Sequence, residues 1–454
     1  MKNKIFTILG VALLSFSSCK KSLDVDPRAS LSPETVGAGD AQKLMNGVYD
    51  GAQEGGTNYN YLGFVTGDLS ADNLVYRATF FQHGEVDNNL ILTSNVLVSR
   101  YFSAPYVAIQ RANDLIEILT TNTTIPEATR KSLLTQCYYL RAFHYYRLVT
   151  LFGPVPIVFN RDVAKVPRKS VSEVYGQIIN DLNLSIQNGL SFTSARFASL
   201  EAAKALLARV YLIQKNYPEA KRLAEEVISS GKFSLSANFD SIFAGPAYSS
   251  TEHIFNIWFT STEGTNALSY FLQHPNMPGG GRAELPVDPS LVAAFEPGDT
   301  RKAASMTQIV APAANPNWYA YKYRDPAGTG GHPLYVSRIS EMYLISAEAQ
   351  FMISNSPTDA VALGRINEVR TKRGLGPLAT ISLPLIIQER RVEFAFENLR
   401  WVDMRRTPSP TNPAKSMATV FLEAKGRSIN DELYPIPSTA IDVNDLLLPN
   451  NPGY

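Results

Sequence analysis

The sequence predicts a mainly α-helical protein in which paired helices form a scaffold and one long, loop-rich region interrupts it. Apolar residues recur at steps of three and four in several long stretches, which is the pattern of an amphipathic helix. Between about residues 233 and 335 that pattern weakens, and Pro and Gly become frequent. A composition of 45% hydrophobic and 18% charged residues indicates a folded globular chain and excludes a disordered or fibrous one.

The chain begins with a short export signal. Two lysines precede an apolar stretch over residues 5–14, and small residues follow up to Cys19. This is the three-part layout of a secretory signal, and the apolar stretch is about half as long as the roughly 20 residues of a membrane-spanning helix. We therefore predict a signal peptide over residues 1–18 and a lipidated N-terminus with a polar tether over residues 19–40.

Cys19 occupies the position expected of a lipid attachment site. The residues Phe16, Ser17, Ser18 and Cys19 resemble a bacterial lipobox, in which the cysteine becomes the first mature residue and carries acyl chains. Several acyl chains anchor a protein where one chain is marginal. The alternative is an ordinary cleaved signal followed by an incidental cysteine. The lipobox predicts a lipoprotein that faces either the periplasm or the cell surface.

Charge and cysteine content exclude other classes of protein. The net charge is +1 and becomes −1 once the two leader lysines are removed, so no basic field is present to attract nucleic acid. Cys137 is the only thiol besides Cys19, and a single thiol in an exported chain predicts a buried, inert side chain in preference to a nucleophile. Beyond the leader, no segment has the roughly 18 consecutive apolar residues of a membrane span.

A long predicted helix runs from residues 125–127 to residue 152 and ends before a Gly-Pro pair. Two adjacent apolar stripes give this helix a face wide enough for contacts on two sides. His144 lies on that face, where a core histidine is favoured over a metal ligand or a base. Ser170 and Glu173 have the spacing of a capping box and predict the start of the next helix.

Two later segments repeat one helix–turn–helix pattern. The pairs are 202–214 with 220–228 around the turn at 216–219, and 344–351 with 362–369 around the turn at 356–359. Each turn combines an Asn216 or Ser356 cap with a nearby proline and an acid three residues after the cap. These pairs resemble tetratricopeptide hairpins. We predict a scaffold of such pairs, mainly over residues 41–232 and 336–454.

We predict that the region from about residue 233 to 335 consists mainly of loops that carry a ligand-binding site. Within it only HIFNIWF, at residues 253–259, alternates like a strand. Long loop-rich insertions in a compact chain usually have a function. We predict one domain over residues 41–454, with this insertion as its ligand-binding part.

Several stretches are similar to the SusD/RagB family of outer-membrane nutrient-binding lipoproteins. They are YYLRAFHYYRLVTLFGPVPIV (138–158), SRISEMYLISAEAQ (337–350), ERRVEFAFENLRWVDMRR (389–406), LYPIPSTAIDVNDLLLPNNPGY (433–454), GDLSADN (67–73) and the leader itself. The resemblance implies a tetratricopeptide-like scaffold with an irregular ligand-binding half. It also implies a lid over a SusC-like, TonB-dependent barrel, to which the protein delivers oligosaccharides, or peptides in the RagB branch.

The resemblance also implies where the protein is and what it contacts. We expect an outer-membrane lipoprotein displayed at the cell surface, with a SusC-like barrel and an oligosaccharide as partners. We expect no nucleic acid, cofactor or metal. Lys20 and Lys21 follow Cys19 where surface-displayed members often have acidic residues. Which face of the outer membrane the anchor displays is therefore left open.

The sequence lacks the common catalytic signatures. It contains no GxSxG, HExxH, CxxC or GxxxxGK[ST], and its five histidines lack metal-ligand spacing. Glu393 and Glu397 lie one helical turn apart and could be taken as the acid and base of a glycosidase. Ion pairs of a scaffold helix explain them better, and Glu397, Arg400 and Asp403 have the spacing of surface pairs. We therefore predict a protein that is not an enzyme.

A neutral sugar needs aromatic faces for its apolar C–H surfaces and polar groups for its hydroxyls. The Pro/Asn-rich stretch 315–321 contains Trp318, Tyr319 and Tyr321. We predict Trp318 and Tyr319 as a stacking platform and Tyr321 as a further candidate. The alternative is that these aromatic rings only cover the core.

Residues 67–77 supply the polar groups of the predicted site. Asp72, Asn73 and Tyr76 are the predicted rim, and Asp68 is a further candidate. Tyr61, among glycines, could line the same cleft. 

The other tryptophans are predicted to be structural. Trp258 alternates with Asn256 in the predicted strand and is expected in the core, and Trp401 belongs to a scaffold helix. The closing residues 433–442 contain two prolines and apolar anchors, which predicts an extended tail packed across the fold.

Three other functions remain open. A RagB-type oligopeptide receptor would have a deep cleft without an exposed arc of aromatic rings. A surface glycoside hydrolase would release new reducing ends from a polysaccharide. A purely structural cap for the barrel would bind no ligand.

Overall fold

The computed structural model describes residues 33–53, 63–160, 165–244, 250–260, 266–310, 317–325 and 331–454. Its α-helices are α1 (Ala38–Ala52), α2 (Thr66–Leu69), α3 (Phe81–Asp87), α4 (Val96–Thr121), α5 (Glu127–Phe152), α6 (Val171–Asn188), α7 (Leu200–Ile213), α8 (Tyr217–Ser229), α9 (Ser241–Ala244), α10 (Leu268–Leu272), α11 (Pro289–Ala294), α12 (Arg301–Ser305), α13 (Ile339–Ser354), α14 (Ala360–Lys372), α15 (Leu383–Glu393), α16 (Arg400–Arg406), α17 (Met417–Ala424) and α18 (Ser438–Val443). Its strands are β1 (His253–Ile257), β2 (Met306–Ile309), β3 (Asn317–Ala320) and β4 (Leu334–Arg338).

The long helices pack in one series. α1 packs on α4, α4 on α5, α5 on α6, α6 on α7, and α7 on α8. α8 then packs against α13, and α13 against α14, although the insertion separates α8 from α13 along the chain. The pairs α7–α8 and α13–α14 are the two hairpins that the sequence predicted, and the mainly α, tetratricopeptide-like fold is confirmed.

Helix α5 is the centre of the core. Every residue of this helix from Leu133 onwards is buried, and the helix ends at Gly153, whose φ of +68° suits glycine. Cys137 and His144 are both fully buried, as predicted. Burial raises the pKa of the Cys137 thiol and lowers the pKa of His144 to about 3, so neither residue is poised for acid–base or nucleophilic chemistry.

Helix starts follow local capping chemistry. The predicted capping box at α6 is confirmed: the Ser170 hydroxyl accepts from Glu173 N at 3.2 Å, and the Glu173 carboxylate accepts from Ser170 N at 2.9 Å. Of the two predicted turn caps, Asn216 occupies the N-cap position of α8, although its side chain makes no cap hydrogen bond. The predicted cap at Ser356 is wrong. Asp359 caps α14, because it immediately precedes the first helical residue whereas Ser356 lies three residues earlier.

The insertion consists of short helices and strands joined by loops. β1 pairs with β4 and β2 with β3, both antiparallel. All five residues of β1 are buried, because β4 covers its edge and α7 contacts it, so the strand does not have the exposed face that alternation predicted. β4 leads directly into α13 and so joins the insertion to the scaffold.

The sequence predicted the C-terminal end of the described chain better than its N-terminal end. The C-terminal stretch packs across the fold as predicted, with Tyr434 and Ile436 buried and Tyr434 N donating to Leu151 O at 2.9 Å. It is not extended throughout, because Ser438–Val443 form α18. α1 begins at Ala38, inside the range predicted as tether. Across the described residues, no helix combines the length and apolar character needed to cross a membrane.

Candidate functional site

The two segments predicted to form the binding site come together on the insertion. Residues 73–77 run antiparallel to residues 284–288: Val75 N donates to Pro286 O at 2.9 Å. On their other side, residues 284–288 meet β3, where Val287 N donates to Trp318 O at 2.8 Å. Residues 284–288 therefore link the stretch that contains Tyr76 to the strand that contains Trp318.

Trp318 is half-buried, with part of its indole packed against the main core. The Lys302 ammonium lies 5.1 Å from the centroid of the indole ring. The Asn317 side chain, one residue earlier, accepts from Arg77 Nη1 at 3.2 Å. An exposed aromatic surface with a cationic group beside it has the character that a sugar ring requires. We call Tyr76, Lys302 and Trp318 the aromatic face; Arg77 and Asn317 flank it, because their side chains alternate to the other side of the strands.

Tyr319 cannot form one platform with Trp318. Residues 317–320 are a strand and not a turn, and successive side chains of a strand point to opposite sides. Tyr319 is only 6% exposed, and its ring centroid lies 5.1 Å from that of His274. Tyr321 is half-buried under the Arg324 guanidinium, 4.2 Å from the ring centroid. The prediction of Tyr319 as a stacking residue is therefore wrong, because its ring belongs to the interior.

Tyr76 is half-buried and lies against α3. Its ring meets His83 edge-on at 6.4 Å, and a Cβ at Gly84 would lie 2.9 Å from Tyr76 Cδ1. Glycine at position 84 thus allows the ring to lie close to the helix. Behind the ring, His83 Nδ1 and Glu284 Oε1 are 2.9 Å apart and buried. Tyr76 is therefore a partly exposed ring that packs against α3 and the buried His83–Glu284 pair.

Asp68 and Asn73 are fully buried and cannot be rim groups. The Asp68 carboxylate accepts from Asn73 Nδ2 at 2.7 Å, Phe396 N at 2.9 Å and Asn398 N at 2.8 Å. Phe396 and Asn398 have positive φ values of 68° and 62°, a conformation that costs about 1–3 kcal/mol per residue. Asp68 therefore holds a strained turn in place, and Asp68 and Asn73 are structural residues.

Burial raises the pKa of Asp68 from 3.8 to about 6, although its hydrogen bonds and the charge of Lys322 oppose the rise. Asp72 behaves differently. Burial alone would raise its pKa too, but the bidentate contacts of Arg400 Nε and Nη2, at 2.7 and 2.8 Å, and the charge of Arg391 hold the pKa below its usual value. Asp72 is thus an ion-pair partner of the scaffold, with its side chain 20% exposed.

The family-like stretch at residues 389–406 forms a buried ion cluster with charged residues of the insertion. The cluster consists of Glu252, Asp299, Arg301, Lys322, Arg338, Arg370, Arg373, Glu389, Glu393 and Glu397. Glu393 is its centre, with Oε1 accepting from Arg373 Nη2 at 2.8 Å and from Arg338 Nη1 at 3.0 Å. Burial would raise the pKa of Glu393, but Arg373, Arg338 and Arg301 hold it well below its usual value.

The prediction of surface pairs in this stretch is wrong. Glu397 pairs with Arg338 and Lys322, whereas Asp403 pairs with Arg390 and Arg406, all with buried side chains. Glu397 and Arg400 do not share a helix, because the chain leaves α15 after Glu393 and α16 begins at Arg400. Arg400 and Asp403 share α16, but Arg400 pairs with Asp72 instead. Glu393 and Glu397 are ion-pair residues, as predicted, and their burial among cations leaves neither free to protonate a leaving group.

The remaining predicted residues divide into three groups. Trp401 is 1% exposed and its Nε1 donates to Glu432 O at 3.2 Å, which confirms a structural role. Trp258 was expected in the core but is half-buried and lines a cleft. Cys19 and Tyr61 lie outside the described residues. Within the described ranges, no group of three or more His, Cys, Asp or Glu side chains could hold a metal ion.

Sequence reasoning missed Arg77, Lys302 and Asn317. Arg77 and Asn317 directly follow or precede predicted site residues, and this proximity was the available signal. Lys302 could not be found in this way, because 16 residues separate it from Trp318 and only the β2–β3 pairing brings them together.

Comparisons with known proteins agree with this architecture. A family model described as "Starch-binding associating with outer membrane" matches residues 21–212, and the SusD family model matches residues 300–454. A SusD-like protein of Formosa agariphila is 26% identical over 98% of both chains. A SusD-like protein of Bacteroides ovatus is 25% identical over 89% of this chain and 82% of that protein.

Solved structures share the fold. A laminarin-binding SusD-like protein superposes with a TM-score of 0.78 at 24% identity, covering 92% of this chain and 99% of the other. Surface glycan-binding protein A from Bacteroides thetaiotaomicron, in complex with laminarihexaose, gives a TM-score of 0.76 at 21% identity over 92% and 100%. The helical scaffold, the position of the insertion and both family matches lead to one conclusion: the chain belongs to the SusD/RagB family.

Proposed function

We propose that this protein is a lipid-anchored, non-catalytic binding protein that captures oligosaccharides at the outer membrane and delivers them to a SusC-like TonB-dependent barrel. The observation that carries the proposal is the aromatic face. Trp318 and Tyr76 expose part of their rings on either side of one shared segment, with Lys302 beside the indole.

The aromatic face would bind sugar by two kinds of contact. The apolar side of a pyranose ring lies on the indole of Trp318, while its hydroxyls accept hydrogen bonds from the Lys302 ammonium beside the ring. Two partly exposed rings and a few polar contacts favour an affinity of about micromolar or weaker. Such an affinity suits a ligand that has to be passed on.

The names of structurally similar proteins suggest the first ligand to test. One neighbour is named for laminarin binding, and another was solved with laminarihexaose. We therefore propose a neutral glucan oligosaccharide as the ligand class and laminarihexaose as the first probe.

Isothermal titration calorimetry of the purified protein with a panel of neutral oligosaccharides, including laminarihexaose, tests the proposal. We expect saturable binding of at least one glycan and no binding of matched oligopeptides. Binding of peptides without any glycan would favour a RagB-type receptor instead. The absence of any ligand would favour a structural cap.

The non-catalytic part of the proposal has its own test. Incubation of each bound glycan with purified protein should release no new reducing ends over many hours. Release of reducing ends would contradict the proposal and identify a glycoside hydrolase.

The anchor and its location are tested in cells. We expect the wild-type protein to incorporate radiolabelled fatty acid and the Cys19→Ser variant to lose both the label and the membrane fraction. Protease treatment of intact cells should cleave the wild-type protein if it is displayed at the surface, and protection would place it on the periplasmic face. Cross-linking in the same cells should recover a TonB-dependent barrel.

A further inference from the structure

We infer that a second glycan-binding site lies in a cleft between α1, the loop before α7 and the residues after β1; the ligand class rests on the function proposed above. The cleft has a volume of about 520 Å³, within the roughly 300–1,000 Å³ range of ligand pockets. Its lining includes Tyr49, Asp50, Gln53, Arg196, Phe197 and Trp258. None of these residues belongs to the aromatic face, so the two sites are distinct. We call this site the scaffold cleft.

The scaffold cleft presents aromatic surface that the core does not use. Trp258 is half-buried, and Phe197 is 44% exposed. The Phe197 ring meets Tyr49 edge-on at 5.9 Å, which fixes its orientation. A large exposed phenylalanine beside a partly exposed indole forms a surface on which an apolar sugar face can lie.

Hydrogen bonds hold the three walls in place. Gln53 Nε2 donates to Trp258 O at 2.7 Å and joins α1 to the end of β1. Asn256 N donates to Ala195 O at 2.8 Å, and Ala198 N donates to the Tyr49 hydroxyl at 2.8 Å, so the loop that contains Phe197 is tied to both other walls. The cleft is therefore preformed, which lowers the entropy cost of binding.

Polar groups also line the scaffold cleft. The Arg196 guanidinium lies 3.9 Å from the centroid of the Trp258 ring, and within the described part of the chain no carboxylate forms an ion pair with it. Asp50 pairs with Arg111 and has a side chain that is 66% exposed. A guanidinium and a carboxylate around two aromatic rings match the hydroxyls of a neutral sugar better than they match an ion of either sign.

Two separate sites on one chain would act together on a polysaccharide. Once one stretch of the polymer occupies the aromatic face, a second stretch reaches the scaffold cleft at a raised effective concentration. The expected consequence is tighter binding of long glycans than of short ones that cannot span both sites.

The three tryptophans of the chain allow a direct test by ¹⁹F NMR of protein labelled with 5-fluorotryptophan. Trp318 reports on the aromatic face, Trp258 on the scaffold cleft, and the buried Trp401 on folding. Trp258→Phe and Trp318→Phe variants assign the resonances. On titration with laminarihexaose we expect saturable shifts of the Trp258 and Trp318 resonances and none of the Trp401 resonance.

The outcomes separate the two proposals. A shift of the Trp318 resonance alone would overturn the scaffold cleft and leave the proposed function intact. A shift of the Trp258 resonance alone would support the scaffold cleft and contradict the aromatic face as a binding site. If neither resonance moves with any glycan of the panel, both proposals fail.

A substitution at a residue other than the three reporter tryptophans makes the test more specific. Phe197→Ala should weaken the binding reported by Trp258 about tenfold and leave the binding reported by Trp318 unchanged. Phe159→Ala removes another exposed ring, 55% exposed, that does not line the cleft, and should change neither. An unchanged Trp258 titration in Phe197→Ala would overturn the scaffold cleft, with the Trp401 resonance showing that the variant is folded.

Discussion

The buried ion cluster and the aromatic face use charged and aromatic residues in opposite ways. In the ion cluster, charged side chains lie in the interior, and each one meets charges of the other sign at 2.6 to 3.2 Å. In the aromatic face, Trp318 and Tyr76 keep part of their apolar surface exposed. The conspicuous charged motif therefore supports the fold, whereas an inconspicuous loop sequence carries the proposed site.

The difference has a physical reason. Removing one member of a buried ion pair leaves a charge that neither water nor protein neutralises, so such a cluster tolerates little change. An exposed ring loses only its own contacts when it is truncated. The substitutions below, ordered from the largest expected effect to the smallest, test this contrast.

Glu393→Gln should have the largest effect on stability. The amide cannot neutralise Arg301, Arg338 and Arg373, so we expect a loss of about 3–5 kcal/mol in the free energy of unfolding. Urea denaturation followed by circular dichroism measures this loss. Because the cluster joins insertion to scaffold, wild-type unfolding should be one cooperative transition. A loss below about 1 kcal/mol would show that the cluster is not the main support of this junction.

Asp68→Asn should change how stability depends on pH. The pKa of Asp68 is raised on folding, from 3.8 to about 6, so the folded state binds the proton more tightly than the unfolded state. Wild-type stability relative to the variant should therefore increase as the pH falls from 7 to 4, by about 2 kcal/mol. Thermal or urea unfolding of both proteins across this range provides the measurement, and parallel profiles would refute it.

Trp318→Ala should weaken binding and leave the protein folded. Loss of the stacking surface is expected to weaken oligosaccharide binding tenfold or more, equivalent to about 1.4 kcal/mol. The part of the indole packed on the core should cost no more than about 1–2 kcal/mol of stability, so the variant stays folded. Calorimetric titration measures the affinity, and Phe159→Ala is the matched exposed-aromatic control. Identical titration curves for Trp318→Ala and wild type would remove the aromatic face as the site.

Glu219→Gln should have the smallest effect and is the control for Glu393→Gln. Glu219 pairs with Arg222 within one turn of α8, with side chains 39% and 50% exposed. Water solvates both partners, so we expect a change of less than about 0.5 kcal/mol in the free energy of unfolding. An effect as large as that of Glu393→Gln would mean that burial is not what distinguishes the two pairs.

Local sequence patterns predicted much of the scaffold. Apolar spacing marked α5 and the hairpins α7–α8 and α13–α14, the Ser170–Glu173 capping box marked α6, and the family resemblance anticipated the fold. The site was predicted less well. The pairing of β2 with β3 turned Tyr319 inward, and a contact with a strained turn some 328 residues away took Asp68 out of the rim.

The sequence by itself determined the helical periodicity, the capping box of α6 and the family, because these depend on residues that are neighbours along the chain. Tertiary structure alone decided which charges are buried and which rings are exposed. Trp258 and Trp401 show why: Trp258 lies in an apolar stretch yet lines a cleft, whereas Trp401 lies among charged residues yet is 1% exposed. Burial depends on what distant segments pack against a residue, and no local pattern records that packing.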